Sequence, residues 1–87
     1  MHSAIVVVGL PDDDRTWKAF IARAELGEGR SAHVSQISEN VWQVNTLENL
    51  SALSRILGEA ERLDFFYKIL VFDAEPQWLA GNPIRKT

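Results

Sequence analysis

Apolar and polar residues follow one another along this chain in six blocks, each with the period of a strand or a helix. Runs rich in β-branched and aromatic residues predict strands, and apolar residues spaced three and four apart predict helices. The predicted elements are a strand at 4–10, a helix at 12–26, strands at 32–38 and 41–45, a helix at 47–63 and a strand at 65–73. The first run is apolar throughout, which is typical of a strand buried on both faces in the middle of a sheet.

This order of elements, β-α-β-β-α-β, is the ferredoxin-like or split βαβ pattern. It predicts an α+β sandwich in which a four-stranded antiparallel sheet carries both helices on one face. We expect residues 1–80 to form one domain that includes a C-terminal dimerisation segment, and residues 81–87 to form a flexible tail. Because many unrelated functions share this fold, the pattern leaves the function open.

The apolar stripe of each helix is expected to pack on the sheet. The predicted packing residues are Trp17, Phe20, Ile21, Leu50, Leu53 and Leu57. Trp42 alternates with Val44, which places it on the core side of its strand. Asn45 or Thr46 is expected to cap the second helix, and Gly27 to stop the first.

Composition limits the classes of protein to which the chain can belong. The net charge of −3 argues against a general nucleic-acid binder, although a local contact with nucleic acid stays open. The sequence has no cysteine, which favours a cytoplasmic location and leaves no thiolate ligand for a metal. No apolar run approaches the roughly 20 residues that cross a bilayer, so we expect no membrane partner.

Few residues suggest a chemistry. Asp12, Asp13 and Asp14 are the densest carboxylates and offer oxygen ligands of the kind that Mg²⁺ prefers. Consecutive side chains point in different directions, however, and acids at a helix start are favoured by the helix dipole. His33 lacks the strained turn and third group of a Ser–His pair, and Asp73 is typical of a charge that flanks an apolar strand. We predict no catalytic residue and no cofactor.

The last strand and the segment after it predict an interface. Residues 65–72 are apolar on both faces apart from Lys68, more so than an open edge strand normally is. Pro76 and Pro83 prevent a long helix after this strand, and the apolar pair that lies between them has no place in the periodic core. We therefore predict a homodimer with an aromatic interface. The predicted interface residues are Phe65, Tyr67, Trp78 and Leu79.

Three stretches have counterparts in a known family: 5–8, 40–46 followed by a helix of spaced leucines, and 64–72. They resemble the first strand, the strand-Trp-Thr-helix segment and the last core strand of the small CRISPR-adaptation nucleases and their stand-alone relatives. The resemblance implies a dimer that exchanges its tails, a role for residues 75–80 here. The family's nucleases end the first strand with a metal-binding aspartate, whereas this end reads Val8-Gly9-Leu10-Pro11 here and contains no acid.

Three functional hypotheses remain open. The first is a small non-enzymatic homodimeric interaction or accessory module, linked to nucleic-acid defence through the resemblance and open to a further protein partner. The second is a metal-dependent nuclease of the CRISPR-adaptation type, with Asp12, Asp13 and Asp14 replacing the missing aspartate. The third is a small-ligand-binding regulatory domain or a dimeric oxygenase-like enzyme, which a pocket lined by Trp17 or Trp42 would support.

Overall fold

Four strands and two helices follow one another in the predicted order. The structure is a computed structural model and describes residues 2–27 and 32–74. Its elements are β1 (Ser3–Val8), α1 (Asp14–Arg23), β2 (Val34–Ser38), β3 (Val41–Asn45), α2 (Leu50–Arg62) and β4 (Tyr67–Phe72). The strands form one antiparallel sheet in the order β2-β3-β1-β4. The ferredoxin-like α+β fold is therefore confirmed.

β1 lies in the middle of the sheet, between β3 and β4. Its Ala4, Val6 and Val8 side chains are fully buried in the same cluster as the apolar residues of both helices. Its other face, with Ile5 and Val7, is partly exposed. The central position is as predicted, but burial on both faces is wrong, because the helices cover one side of the sheet.

α1 is shorter at both ends than the predicted helix. Its N-cap is Asp13, and it ends at Arg23. Glu25 follows with a φ of 57°, in the left-handed region that commonly ends a helix. The chain therefore leaves the helix before it reaches Gly27, the predicted stop.

α2 begins one turn later than the apolar pattern predicts. Asn45 accepts hydrogen bonds from the two N–H groups of a turn that precedes the helix, so neither it nor Thr46 is the cap. The cap is Asn49, whose Oδ1 accepts a backbone N–H from the first turn at 3.2 Å. Leu50 lies to the side of the buried face and is more than half exposed, so its predicted packing is wrong. The buried face consists of Ala52, Leu53, Ile56 and Ala60.

Aromatic rings join α1 to the sheet. Trp17 and Phe20 of α1 meet Trp42 of β3 and Phe65 of the loop before β4, with ring centroids 5.3 to 6.2 Å apart. Separations of this size are typical of stabilising aromatic pairs. The predicted core positions of Trp17, Phe20 and Trp42 are therefore confirmed.

Replacement of Leu53 by alanine should destabilise the fold, because this side chain is buried between α2 and the sheet. We expect a loss of about 2–5 kcal/mol in the free energy of unfolding, as is usual for a buried leucine. Leu50→Ala, on the exposed side of the same helix, is the matched control and should change stability by less than about 0.5 kcal/mol. Urea unfolding of both variants measures the difference, and equal losses would contradict the packing described here.

Candidate interaction surface

β4 forms one edge of the sheet, and no strand among the described residues pairs with its outer side. The N–H of Gly9 donates to the Phe66 carbonyl at 2.6 Å, and the register continues from there along both strands. The main-chain groups of the even-numbered residues of β4 therefore point to β1. Because these groups alternate in direction along a strand, those of the odd-numbered residues point outward. The residues whose main-chain N–H and C=O groups point away from β1 are Tyr67, Ile69 and Val71.

β4 also exposes apolar side chains on both faces of the sheet. Ile69 and Val71 face the side that carries the helices, yet they are 38% and 52% exposed. Leu70 faces the open side and is 59% exposed, and Phe66, directly before the strand, is 75% exposed. A contiguous set of large exposed apolar residues is typical of a surface that binds another protein.

The opposite edge of the sheet has a different character. β2 is mostly Ser and Gln, and its register with β3 shifts between Gln36 and Ser38. The three-residue spacing of Val34 and Ile37 predicts either a bulge or an early end of the strand, and the register shift agrees with the first of these. Polar side chains and bulges are devices that keep an edge strand from pairing with another chain. The two edges therefore differ in their capacity to pair, although Ile37 of β2 is itself 42% exposed.

The predicted interface residues have separate environments. Phe65 is half-buried, and its ring packs 6.0 Å from Trp17 and 5.3 Å from Phe20, so it contributes to the hydrophobic core. Tyr67 is half-buried, and its hydroxyl donates to Glu61 Oε2 at 2.6 Å. This hydrogen bond raises the pKa of Tyr67 and ties β4 to the end of α2. Trp78 and Leu79 lie outside the described residues.

A groove of about 410 Å³ lies beside the start of β4, and sequence reasoning missed it. Its walls include Leu10, Pro11, Leu63 and Phe66. Leu10 is half exposed and adds an apolar side chain beside Phe66 at this end of the sheet, while Thr16 and Asp64 make part of the groove wall polar. A Cβ added to Gly9 would lie 3.3 Å from the Cβ of Phe66, so the absence of a side chain there permits the close approach. The strand order of the ferredoxin-like fold could have indicated this groove, because it places the end of β1 next to the start of β4.

The acids at the start of α1 serve the helix. Asp13 accepts the Thr16 hydroxyl at 2.8 Å and the Arg15 N–H at 3.0 Å. These hydrogen bonds hold the pKa of Asp13 below its usual range, and the bond from Thr16 has the largest effect. Asp14 pairs with Lys18 one turn later at 3.2 Å, on the helix surface. Within residues 2–27 and 32–74, no three His, Asp or Glu side chains come together as a set of metal ligands.

The remaining predicted sites lie before β2, inside the core or directly after β4. His33 is exposed, before β2, and has a φ of 66°. Trp17 and Trp42 pack with their ring centroids 6.0 Å apart, and neither lines the groove beside β4. Asp73 is exposed directly after β4.

The fold and the exposed strand define a ferredoxin-like domain with one apolar open edge. Comparisons with protein families, with curated proteins and with solved structures find no match to this chain. The resemblance to the CRISPR-adaptation nucleases therefore stays a prediction. In the part of the chain that the structure describes, neither helix has the length and apolar character needed to cross a bilayer.

Removal of the Asp13 carboxylate should destabilise the protein at neutral pH and less so in acid. Because folding lowers the pKa of Asp13, its stabilising contribution is present above the pKa of the unfolded chain. That contribution is lost as the pH falls through the lowered pKa of the folded state. Thermal unfolding of the wild type and of Asp13→Ala, from neutral pH down through this pKa, measures the difference between their midpoint temperatures. Asp12→Ala, outside the cap, is the control, and a gap for Asp13→Ala that is constant with pH would contradict the assignment.

Proposed function

We propose that this chain is a small homodimeric interaction module that acts by binding rather than by catalysis. In this proposal, a second copy of the chain docks on β4 of the first. The supporting observation is the edge strand itself, with Ile69, Leu70 and Val71 exposed and outward main-chain groups that no described strand pairs. An exposed apolar edge is a template for another strand. Docking of a second chain removes this apolar surface from water and pairs those main-chain groups.

The difference between the two edges favours a second copy over an unlimited assembly. A contact between two β4 strands is a contact of a surface with itself, and it closes into a two-fold dimer. If both edges were open and apolar, the sheets could continue to add to one another. The polar, bulged β2 opposes this growth. One open edge and one protected edge are therefore what a closed dimer requires.

The segment after β4 extends the proposal. Trp78 lies six positions after Phe72, and an extended chain of that length reaches about 20 Å. This is about the length of β4 itself. We propose that residues 75–80 cross to the partner and that Trp78 and Leu79 cover apolar surface near the start of the partner's β4. The resemblance adds an accessory role in nucleic-acid defence, which rests on the sequence pattern alone.

A charge placed on the open edge should weaken the dimer. Leu70→Lys introduces an ammonium group where the proposed interface excludes water, at a side chain exposed enough for the subunit to fold unchanged. We expect the dissociation constant of the dimer to rise at least about tenfold, which corresponds to roughly 1.4 kcal/mol. Sedimentation equilibrium over a range of concentrations measures it. Ile37→Lys, on the opposite edge, is the matched control and should leave the dimer intact.

Loss of the tail should also weaken the dimer. Truncation after Ala74 removes Trp78, and loss of an aromatic anchor from an interface commonly costs about 2 kcal/mol or more. We expect the truncated protein to dissociate at roughly 30-fold higher concentration than the full chain, or to aggregate through the uncovered strand. Tail exchange is wrong if the truncated protein dimerises as tightly as the full chain. A full-length protein that is monomeric at every concentration would contradict the proposed function as a whole.

A further inference from the structure

We infer that two copies join by antiparallel pairing of their β4 strands, centred on Ile69, so that the two four-stranded sheets become one sheet of eight strands. This inference rests on the proposed homodimer and specifies its geometry. The occupant of the open edge is thus the same strand of a second copy. Main-chain direction selects this arrangement, and side-chain pairing and the path of the following segment are consistent with it.

Symmetry limits the registers that are available. Two identical edge strands that pair antiparallel are related by a two-fold axis normal to the sheet, so the helix-bearing sides of both copies lie on the same side. Residues directly opposite each other in an antiparallel pair share a face of the sheet. Because faces alternate along a strand, the axis must pass through a residue position and not between two positions. The central choices in β4 are Ile69 and Leu70.

The main chain selects Ile69. The outward N–H and C=O groups belong to Tyr67, Ile69 and Val71, which are symmetric about Ile69. With the axis there, Ile69 bonds to its own copy and Tyr67 to the partner's Val71, so every outward group of β4 has a partner. With the axis at Leu70, Tyr67 would lie opposite Asp73, outside β4.

The side chains agree with the same register. On the helix-bearing side, Ile69 meets its copy and Tyr67 meets the partner's Val71. On the open side, Lys68 lies opposite the partner's Leu70, and Phe66 opposite the partner's Phe72. Phe66, the most exposed aromatic ring of the described residues, therefore meets another ring, a favourable cross-strand pair. In this register Lys68 does not lie opposite the partner's Lys68, as it would with the axis at Lys68.

The path of the chain after β4 is consistent with this geometry. Antiparallel pairing brings the end of one β4 beside the start of the other. Residues after Phe72 therefore begin next to the partner's Phe66, where the groove with Leu10, Pro11 and Leu63 opens. Tail exchange and strand pairing are thus compatible in one dimer, with β2 at both ends of the eight-stranded sheet.

Engineered cysteines can test the register directly, because the chain has none of its own. Lys68 and the partner's Leu70 would form a non-hydrogen-bonded pair, with Cα atoms about 4.5 Å apart. This distance lies within the usual range of about 4.4–6.8 Å for a disulfide. In Leu70→Cys alone, the two cysteines would lie two positions out of register, too far apart to bridge. We expect an oxidised mixture of Lys68→Cys and Leu70→Cys to form covalent dimers about tenfold faster than either variant alone.

Each result of this experiment decides a different statement. Fastest cross-linking by Leu70→Cys alone would move the axis to Leu70 and overturn the register. Cross-linking of the mixture no faster than that of Ile37→Cys, with both reduced variants still dimeric in sedimentation, would overturn strand pairing while the homodimer stands. A monomeric wild type would overturn both. Amide exchange of the wild type is an independent measurement, in which the N–H groups of Tyr67, Ile69 and Val71 should become protected as the protein concentration rises.

Discussion

The alternation of hydrogen bonds along β1 is the constraint from which the rest of the structure follows. The N–H of Val8 donates to the Asn40 carbonyl on the β3 side at 3.0 Å, and the N–H of Gly9 donates to Phe66 on the β4 side. Residues bonded to β3 turn their side chains under the helices, and residues bonded to β4 turn theirs to the open face. This phase is transmitted to β4, where Ile69 turns its side chain to the helix-bearing face and its main chain outward. The direction of the unpaired main-chain groups on β4 is therefore set by β1, the strand next to it in the sheet.

The size of the helical layer explains why that edge stays open. Trp17 and Phe20 of α1 reach Phe65, so the aromatic cluster covers the start of β4. α1 has ten residues, a length of about 15 Å, whereas the six residues of β4 extend about 20 Å. The far half of the strand, with Ile69 and Val71, is left partly uncovered on the side that carries the helices.

Hydrophobic periodicity predicted the element types, their order and most of the core, because strand and helix periods differ and the stripes of Trp17, Phe20 and Leu53 are clear. It misplaced Leu50, because Asn45 and Asn49 are both good caps and only the turn at Asn45 decides between them. β4 shows a stricter limit. Lys68 is the one charged residue in this run, and a single polar position is a weak guide to which side chains point inward. The pairing with β1 sets this phase, and it sends Phe65 into the core and Phe66 outward.

The scarcity of polar residues in β4 also gives the strand apolar side chains on both faces. A domain of 87 residues buries only about two thirds of its unfolded surface, so its stability is small and each additional buried side chain matters. In the proposed dimer, the apolar residues that the helices leave uncovered become the centre of a larger sheet. Folding and association then draw on the same residues, and the stability of the subunit rises with protein concentration. In this dimer β2 forms both outer edges of the sheet. Its polar side chains and its register shift oppose the addition of further strands, so the assembly ends at two copies.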